Sequence, residues 1–459
     1  MSMLGKVRMK FQKISLTNTD LTEGSIAGGI TIFAIPIFLG QLLQQLYNVA
    51  DAWVVGNFAD NNAFAAVASS GSLVFLIVGF FNGVAMGGGV IISHYFGARD
   101  KKSVACAIHT NFLFGIISSV AATIVGLIGL PYLLTLMKIP KEVLPESTTY
   151  FQIYIAGVTT VIMYNICMAV MRALGDSLHP LYYLLISSVV NVVLDLLLVA
   201  GWDMGVKGAA IATVFSQGLS MVLCVIRMCR ETDYTKLDFK QLRYDSRMMK
   251  DVLQQGLPSG IQNSVISIGN IVVQTNINSF GAFAMSGSGA YSKIEGFVFL
   301  PISSMSMALP TFVSQNLGAA KYQRAKKGAS FGMFSGMIMA EVVGVILYIW
   351  CPVGLRLFVD SAEAIKFGTL HGRTVSFFFF LLAFSHCAAG VLRGCGKSII
   401  PMSAMLAFWC GVRVVYVTLI LKVIPEFQMI AWAYPLTWTL SSIVFVISLW
   451  KLDWEKTAF

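Results

Sequence analysis

The chain has 459 residues, of which 56% are hydrophobic and only 12% charged, with a mean hydropathy of +0.75; soluble proteins carry about 25% charged residues. Twelve apolar stretches of ~20–25 residues would occupy roughly 240–300 residues as membrane spans, leaving short connections and no room for a large soluble domain. A cytosolic enzyme, a nucleic-acid-binding domain and a secreted disulfide scaffold are thereby excluded, and the net charge of +10 must have another explanation.

The first 25 residues are polar and include Lys6, Arg8, Lys10 and Lys13. They lack the early apolar core and small-residue cleavage site of a signal peptide, so residues 1–25 read as a cytoplasmic segment and the first span is retained. Apolar runs predict span 1 over 26–55, then spans at 64–96, 104–130, 146–170, 178–201 and 206–227. A polar linker over 228–250 precedes six more, at 251–280, 286–316, 327–352, 365–392, 399–421 and 428–450, and a tail of 451–459. The predicted fold is all-α and polytopic: an N-lobe over 26–227 and a C-lobe over 251–450. With both termini placed in the cytoplasm, inner segments hold 23 Lys and Arg and outer loops 7, while Lys293 and Arg413 lie within spans. Topology by the positive-inside rule therefore explains the basic balance without nucleic acid. Eight scattered cysteines, with no CxxC pair, read as small hydrophobes.

Two motifs repeat at an offset of 221. Ser93-His-Tyr-Phe-Gly97-Ala98 matches Ser314-Gln-Asn-Leu-Gly318-Ala319, and Arg172-Ala-Leu-Gly175-Asp-Ser177-Leu-His-Pro180 matches Arg393-Gly-Cys-Gly396-Lys-Ser398-Ile-Ile-Pro401. The chain is thus a tandem duplication of a six-helix unit. An even number of spans per unit keeps both halves in one orientation, and repeat-built transporters place the substrate site between repeats and expose it alternately. Gly396-Lys397-Ser398 is no phosphate loop, since GxxxxGK[ST] needs glycine where Val391 stands.

Ionisable groups inside a bilayer are costly and mark function. In span 1, Gln41, Gln44, Asn48 and Asp51 form one stripe at helical spacing, with Tyr47 beside it; in span 5, Asn191 and Asp195 stack four apart. Two carboxylates with amide and hydroxyl neighbours suit either a proton or a small hard cation, and the two would compete. The stripe Ser259, Asn263, Ser267, Asn270 and Gln274 in span 7 serves helix packing or cavity lining equally well. Gln262, Asn263, Asn270 and Glu295 are weaker cavity or substrate candidates, along with Gln44, Tyr47 and Asn48. His386 reads as a packing residue. Pro36, about four turns before Asp51, provides either a static kink or a gating bend. Gly83, Gly87, Gly88 and Gly89 permit close helix contact.

At these residues the chain resembles the multidrug and toxic compound extrusion (MATE) family. The resemblance runs from span 1 to span 12. It is most specific at Gln44-Gln-Leu-Tyr47-Asn48-Val-Ala-Asp51-Ala-Trp-Val-Val-Gly56, at the 172–195 stretch ending Asn191-Val-Val-Leu-Asp195, and at the Gly97 and Gly318 loops. It implies two six-helix lobes in a V-shaped arrangement that export organic cations in exchange for sodium ions or protons. Carried over position by position, it makes Asp51, Asn191, Asp195 and Thr213 the cation-coupling site, sodium being one candidate ion, with Thr213 beyond a break near Gly201–Gly208. It also places Pro36 at the proline where span 1 of some members is proposed to bend. Where some branches carry a glutamate in span 7 and an acid in span 10, this chain has Gln262 and Asn263 and no acid between Lys366 and Leu392, so coupling is expected in the N-lobe.

The expected function is a secondary antiporter of amphipathic organic cations, multi-pass in the plasma or inner membrane, acting as a monomer. It would need no cofactor beyond the coupling sodium ion or proton. The alternative, a flippase of lipid-linked sugars, requires a strongly basic central cavity, against only Lys293 and Arg413 within spans. No HExxH motif or histidine cluster suggests an enzyme.

Overall fold

The computed structural model of the chain describes residues 19–457 other than 60, 137, 138, 140 and 232. The N-lobe comprises α1 (Ile26–Phe58), α2 (Asn61–Gly97), α3 (Lys101–Leu136), α4 (arms Leu144–Ala156 and Val158–Ala173), α5 (Leu178–Gly201) and α6 (Gly205–Arg230). The C-lobe repeats the series as α7 (Ser246–Asn278), α8 (Ala282–Gly318), α9 (Tyr322–Leu355), α10 (arms Ala362–Ser376 and Phe379–Gly394), α11 (Ile399–Val423) and α12 (Phe427–Trp450). Among the described residues there is no strand. The predicted linker holds the end of α6, two short 3₁₀ turns and the first turn of α7.

Nine described helices are long and apolar enough to cross a membrane, and the two bent pairs raise the number to eleven. The exception is α7. Its glutamines, asparagines and serines lower its mean hydropathy, yet it occupies the seventh place in the duplicated order. Val125, Ile128 and Trp450 are among many apolar side chains exposed on the outer surface, as a lipid-facing belt requires.

The duplication extends to the irregularities. α4 bends by 45° at Gly157 and α10 by 58° at Phe377–Phe378, positions related by the same offset of 221. At Gly157 the Val214 side chain of α6 fills the space a Cβ would occupy, so the absent side chain lets α6 close on the elbow.

The lobes meet along glycine seams. A Cβ at Gly83 would overlap the backbone of Ser259 and Gly260, and one at Gly87 that of Gly256. At the end where the N-terminal segment lies, Gly97 abuts the Gln315 carbonyl and Gly318 the His94 carbonyl. These are reciprocal contacts at repeat-equivalent positions, the mark of a pseudo-two-fold axis along the bundle. The Ser314 hydroxyl donates to the Val90 carbonyl at 2.8 Å and the Gln315 amide to the Ala173 carbonyl at 2.9 Å. We call this sealed end the N-terminal face.

Residues 19–24 clip that seam from outside. Leu21 is fully buried among Phe312, Val313 and Leu317. The Arg324 guanidinium donates to the carbonyls of Leu21, Glu23 and Gly24, and the Lys321 ammonium donates to that of Thr22. The Thr19 N–H donates to the Gly175 carbonyl of the other lobe at 3.1 Å. Asp20 pairs with Arg99. Burial pushes the Asp20 carboxyl up, but hydrogen bonds from Thr22 and the Arg99 guanidinium bring it below its ordinary value. The clip is therefore charged at neutral pH and loosens only as pH falls through that lowered value. Leu21→Ala is expected to cost about 2–5 kcal/mol, read as a lower melting temperature of the purified protein.

Candidate functional site

A cavity of about 550 Å³ opens within the N-lobe and reaches α8 of the C-lobe. Its wall takes Pro36, Gln41, Gln44, Tyr47, Asn48 and Asp51 from α1, of which Gln41, Gln44, Asn48 and Asp51 are spaced three and four apart along one helix face. α1 runs through Pro36 without interruption. Thr213 and Gln217 of α6 join them, as do Tyr150 and Tyr154 of α4, whose rings stack at 6.1 Å.

Asp195 and Asn191 lie behind that wall and are fully buried. Asp195 ends the regular part of α5, and the next six residues, Leu196–Gly201, widen into a π-helical turn. Such turns break the usual register, often at functional positions. The chain then reverses through Asp203 and Gly205, both with positive φ, and returns as α6. This brings Thr213 back beside α5, in keeping with the break expected there. The Asp51 and Asp195 carboxyls adjoin, and Tyr47 lies against both Asp51 and Thr213.

Both oxygens of Asp195, Oδ1 of Asp51 and both side-chain polar atoms of Asn191 are buried without a hydrogen-bond partner. No Lys or Arg pairs with either acid among the described residues. Beyond the acids, on the side away from the N-terminal face, Val54, Val55, Val199 and Ala209 form an apolar cluster. Two adjoining carboxylates in such a setting repel each other unless a cation lies between them. The unsatisfied oxygens of Asp51, Asp195 and Asn191, with the Thr213 hydroxyl close by, match the donor set of a proton or a small hard cation.

The other candidates are placed elsewhere. Gln262 donates to Met405 Sδ at 2.9 Å, Asn263 donates to the Gly79 carbonyl across the lobe seam at 2.9 Å, and Asn270 accepts from Arg413 at 3.3 Å. Glu295 lies in the C-lobe beside Arg413 and Tyr291. Arg413 in turn donates to Thr437 at 2.9 Å and stacks on Trp409 and Tyr434. These side chains hold helices together and do not line the cavity. The His386 ring packs edge-on against Phe299 and Trp409. The sequence reading passed over Tyr150, Tyr154, Asn165 and Arg172, all in the cavity wall. The four-residue spacing of the two tyrosines, continued along α4 by Asn165 and Arg172, was the available signal.

Comparison with known proteins fits this geometry. The MatE family model matches residues 36–197 and again 258–419, so each half matches it separately. The chain is 27% identical over 391 residues to the probable multidrug resistance protein YpnP of Bacillus subtilis, covering 85% of this chain and 87% of that one. It is 24% identical over 458 residues to YoeA of the same organism, also called a probable multidrug resistance protein, with 98% of each covered. The multidrug export protein MepA of Staphylococcus saprophyticus is 20% identical, with 94% and 95% covered. Among solved structures, a multidrug resistance MATE transporter in an outward-facing conformation superposes with a TM-score of 0.88 at 20% identity, covering 96% of this chain and 98% of that one. A mutant of the Vibrio cholerae MATE transporter VcmN gives 0.86 at 18% identity, with 94% and 98% covered.

Proposed function

The chain belongs to the MatE family, whose model each of its halves matches, and from that premise we propose that it is a secondary multidrug exporter coupled through its N-lobe carboxylates. Amphipathic organic molecules bearing a cationic group leave in exchange for an entering sodium ion or proton. The observation that carries this reading is the pairing of Asp51 with the fully buried Asp195, neither of which forms an ion pair with Lys or Arg among the described residues. One cation satisfies the pair. A second, on an organic substrate, competes for Asp51, which is the acid that lines the cavity. The stacked Tyr150 and Tyr154 supply π faces for that group.

Exchange follows from competition. A lobe that must hold either substrate or coupling ion, and that changes face only when one of them neutralises the acids, moves the two in opposite directions. Asp51, Asn191, Asp195 and Thr213 serve as the ion site; Gln44, Tyr47 and Asn48 contact substrate; and α1 bends at Pro36 as the ion comes and goes. We place both termini in the cytoplasm, the chain in the plasma membrane, and the working unit as a monomer. The flippase alternative is not favoured, since the relatives carry multidrug resistance and multidrug export names.

Ethidium transport by purified protein in liposomes, with sodium and pH gradients imposed separately, tests the reading. Uphill transport under one of the two gradients is expected, and that gradient names the ion. Transport indifferent to both would overturn the proposal.

A further inference from the structure

The duplication puts a charged centre in the C-lobe at the place of the N-lobe cavity. The offset of 221 relates Glu295 to Val74, His371 to Tyr150 and Tyr434 to Thr213, and all three N-lobe positions line the cavity. The C-lobe places equivalent to Asp51 and Asp195 hold Val272 and Tyr416, so its acid comes from α8 instead. Arg413 follows directly on Val412, the equivalent of Asn191. Lys293, two residues before Glu295, points to a different side of α8 and lines the N-lobe cavity.

The titratable groups around Glu295 are Tyr291 on its own helix, Cys351 of α9, Cys410 and Arg413 of α11, Tyr434 of α12, and His371 of α10, which stacks on Tyr291 at 4.7 Å. Among them Arg413 carries the one permanent positive charge, and it is held from several sides. It is almost completely buried. It donates to Asn270 of α7 at 3.3 Å and to Thr437 of α12 at 2.9 Å, and lies over the Trp409 and Tyr434 rings. The Tyr291 hydroxyl and Nδ1 of His371 are buried at the same centre without hydrogen-bond partners. A carboxyl with a free hydroxyl and a free ring nitrogen near it offers the donors of a small-ion site. The cation beside it is a guanidinium.

The two lobes thus meet one electrostatic demand in different ways. Asp51 and Asp195 form no ion pair with Lys or Arg among the described residues, so their cation comes from solution and leaves again. Glu295 has its cation on the same chain, in a side chain that neither departs nor gives up its proton. We infer that Arg413 is a built-in counter-ion that takes the place of an exchangeable cation in the C-lobe and confines exchange to the N-lobe. Without it, Glu295 becomes a second site for a proton or a sodium ion. The confinement rests on the antiport reading above; the latent C-lobe site rests on its own cluster.

Counting cations on the purified protein at neutral pH provides the test, with ²³Na magnetic resonance for sodium and the infrared band of protonated carboxyls for protons. Arg413→Gln should hold one cation more per chain than the wild type and lose it again when Glu295→Gln is added. Arg413→Lys, which keeps the charge, should hold the wild-type number. Melting gives a second readout should Arg413→Gln fail to fold. Each single neutralisation strands a charge, so the double variant should fold and melt above either single one. No added cation in a folded Arg413→Gln, an added cation that survives Glu295→Gln, or a double variant no more stable than the singles would overturn the inference. The antiport reading fails separately: an added cation in Arg413→Gln without gradient-driven ethidium transport in the wild type sinks that reading alone. Gradient-driven transport with no added cation sinks this one alone.

Discussion

Replacing Asp51 with asparagine is expected to reduce gradient-driven ethidium transport at least tenfold while leaving the protein folded. The argument is electrostatic. An amide keeps the size of the carboxyl and one oxygen ligand but carries no negative charge, so it cannot take up a proton and holds a metal cation far less tightly. The remaining acid, Asp195, has both oxygens buried without a partner, so it no longer shares a cation with a neighbour that opens to the cavity. The variant keeps its packing, since Asp51 and Asp195 adjoin as like charges and removing one relieves repulsion. A tenfold loss corresponds to only about 1.4 kcal/mol of coupling, a modest demand on two buried carboxylates. Asp195→Asn should act in the same direction. Transport at wild-type rates in Asp51→Asn, at equal amounts of protein, would remove the N-lobe acids from the mechanism.

The second large effect is mechanical. Gly87 lies against the Gly256 backbone where α2 crosses α7, and a Cβ there would overlap main-chain atoms that have no rotamer to give. Gly256 and Gly260 are tight against Val84 and Phe80 in return. A leucine at 87 must therefore part the lobes at their seam, at a cost of roughly 1–3 kcal/mol or more by analogy with overpacked cores. We expect Gly87→Leu to lower the melting temperature of the purified protein and to abolish transport, because the seam is what one lobe turns upon. Gly129 on α3 has nothing within 4 Å of its absent Cβ, so Gly129→Leu is the matched control and should melt like the wild type. A Gly87→Leu protein as stable and active as that control would contradict the close-contact account of the seam.

Span order and duplication were legible because both leave local signals. Apolar runs of fixed length mark spans, and a repeated motif such as Gly97 and Gly318 survives where close backbone contact tolerates no side chain. Even α7, which misses the hydropathy criterion that the other spans meet, is readable as a run over 251–280. The α1 side of the cavity was legible for the same reason: Gln41, Gln44, Asn48 and Asp51 keep helical spacing, and one helix presents one face. What was not legible is rotation. The polar stripe of α7 has the same spacing, yet the packed bundle spends its asparagines on Gly79 and Arg413. Lys293 and Glu295 had to diverge, but the direction each took depends on how α8 docks against α1. The elbows at Gly157 and Phe377–Phe378 also escaped notice. A bend set by the approach of a neighbouring helix has no proline to announce it.

The central claim is that substrate and coupling ion exclude one another at Asp51 and Asp195. The most direct measurement adds substrate to the purified protein at fixed pH and monitors what leaves, with a pH dye for protons and ²³Na magnetic resonance for sodium. The account predicts that one cation is released for each substrate bound, and that release disappears in Asp51→Asn. Stoichiometric substrate binding with no cation released, under either readout, would contradict it.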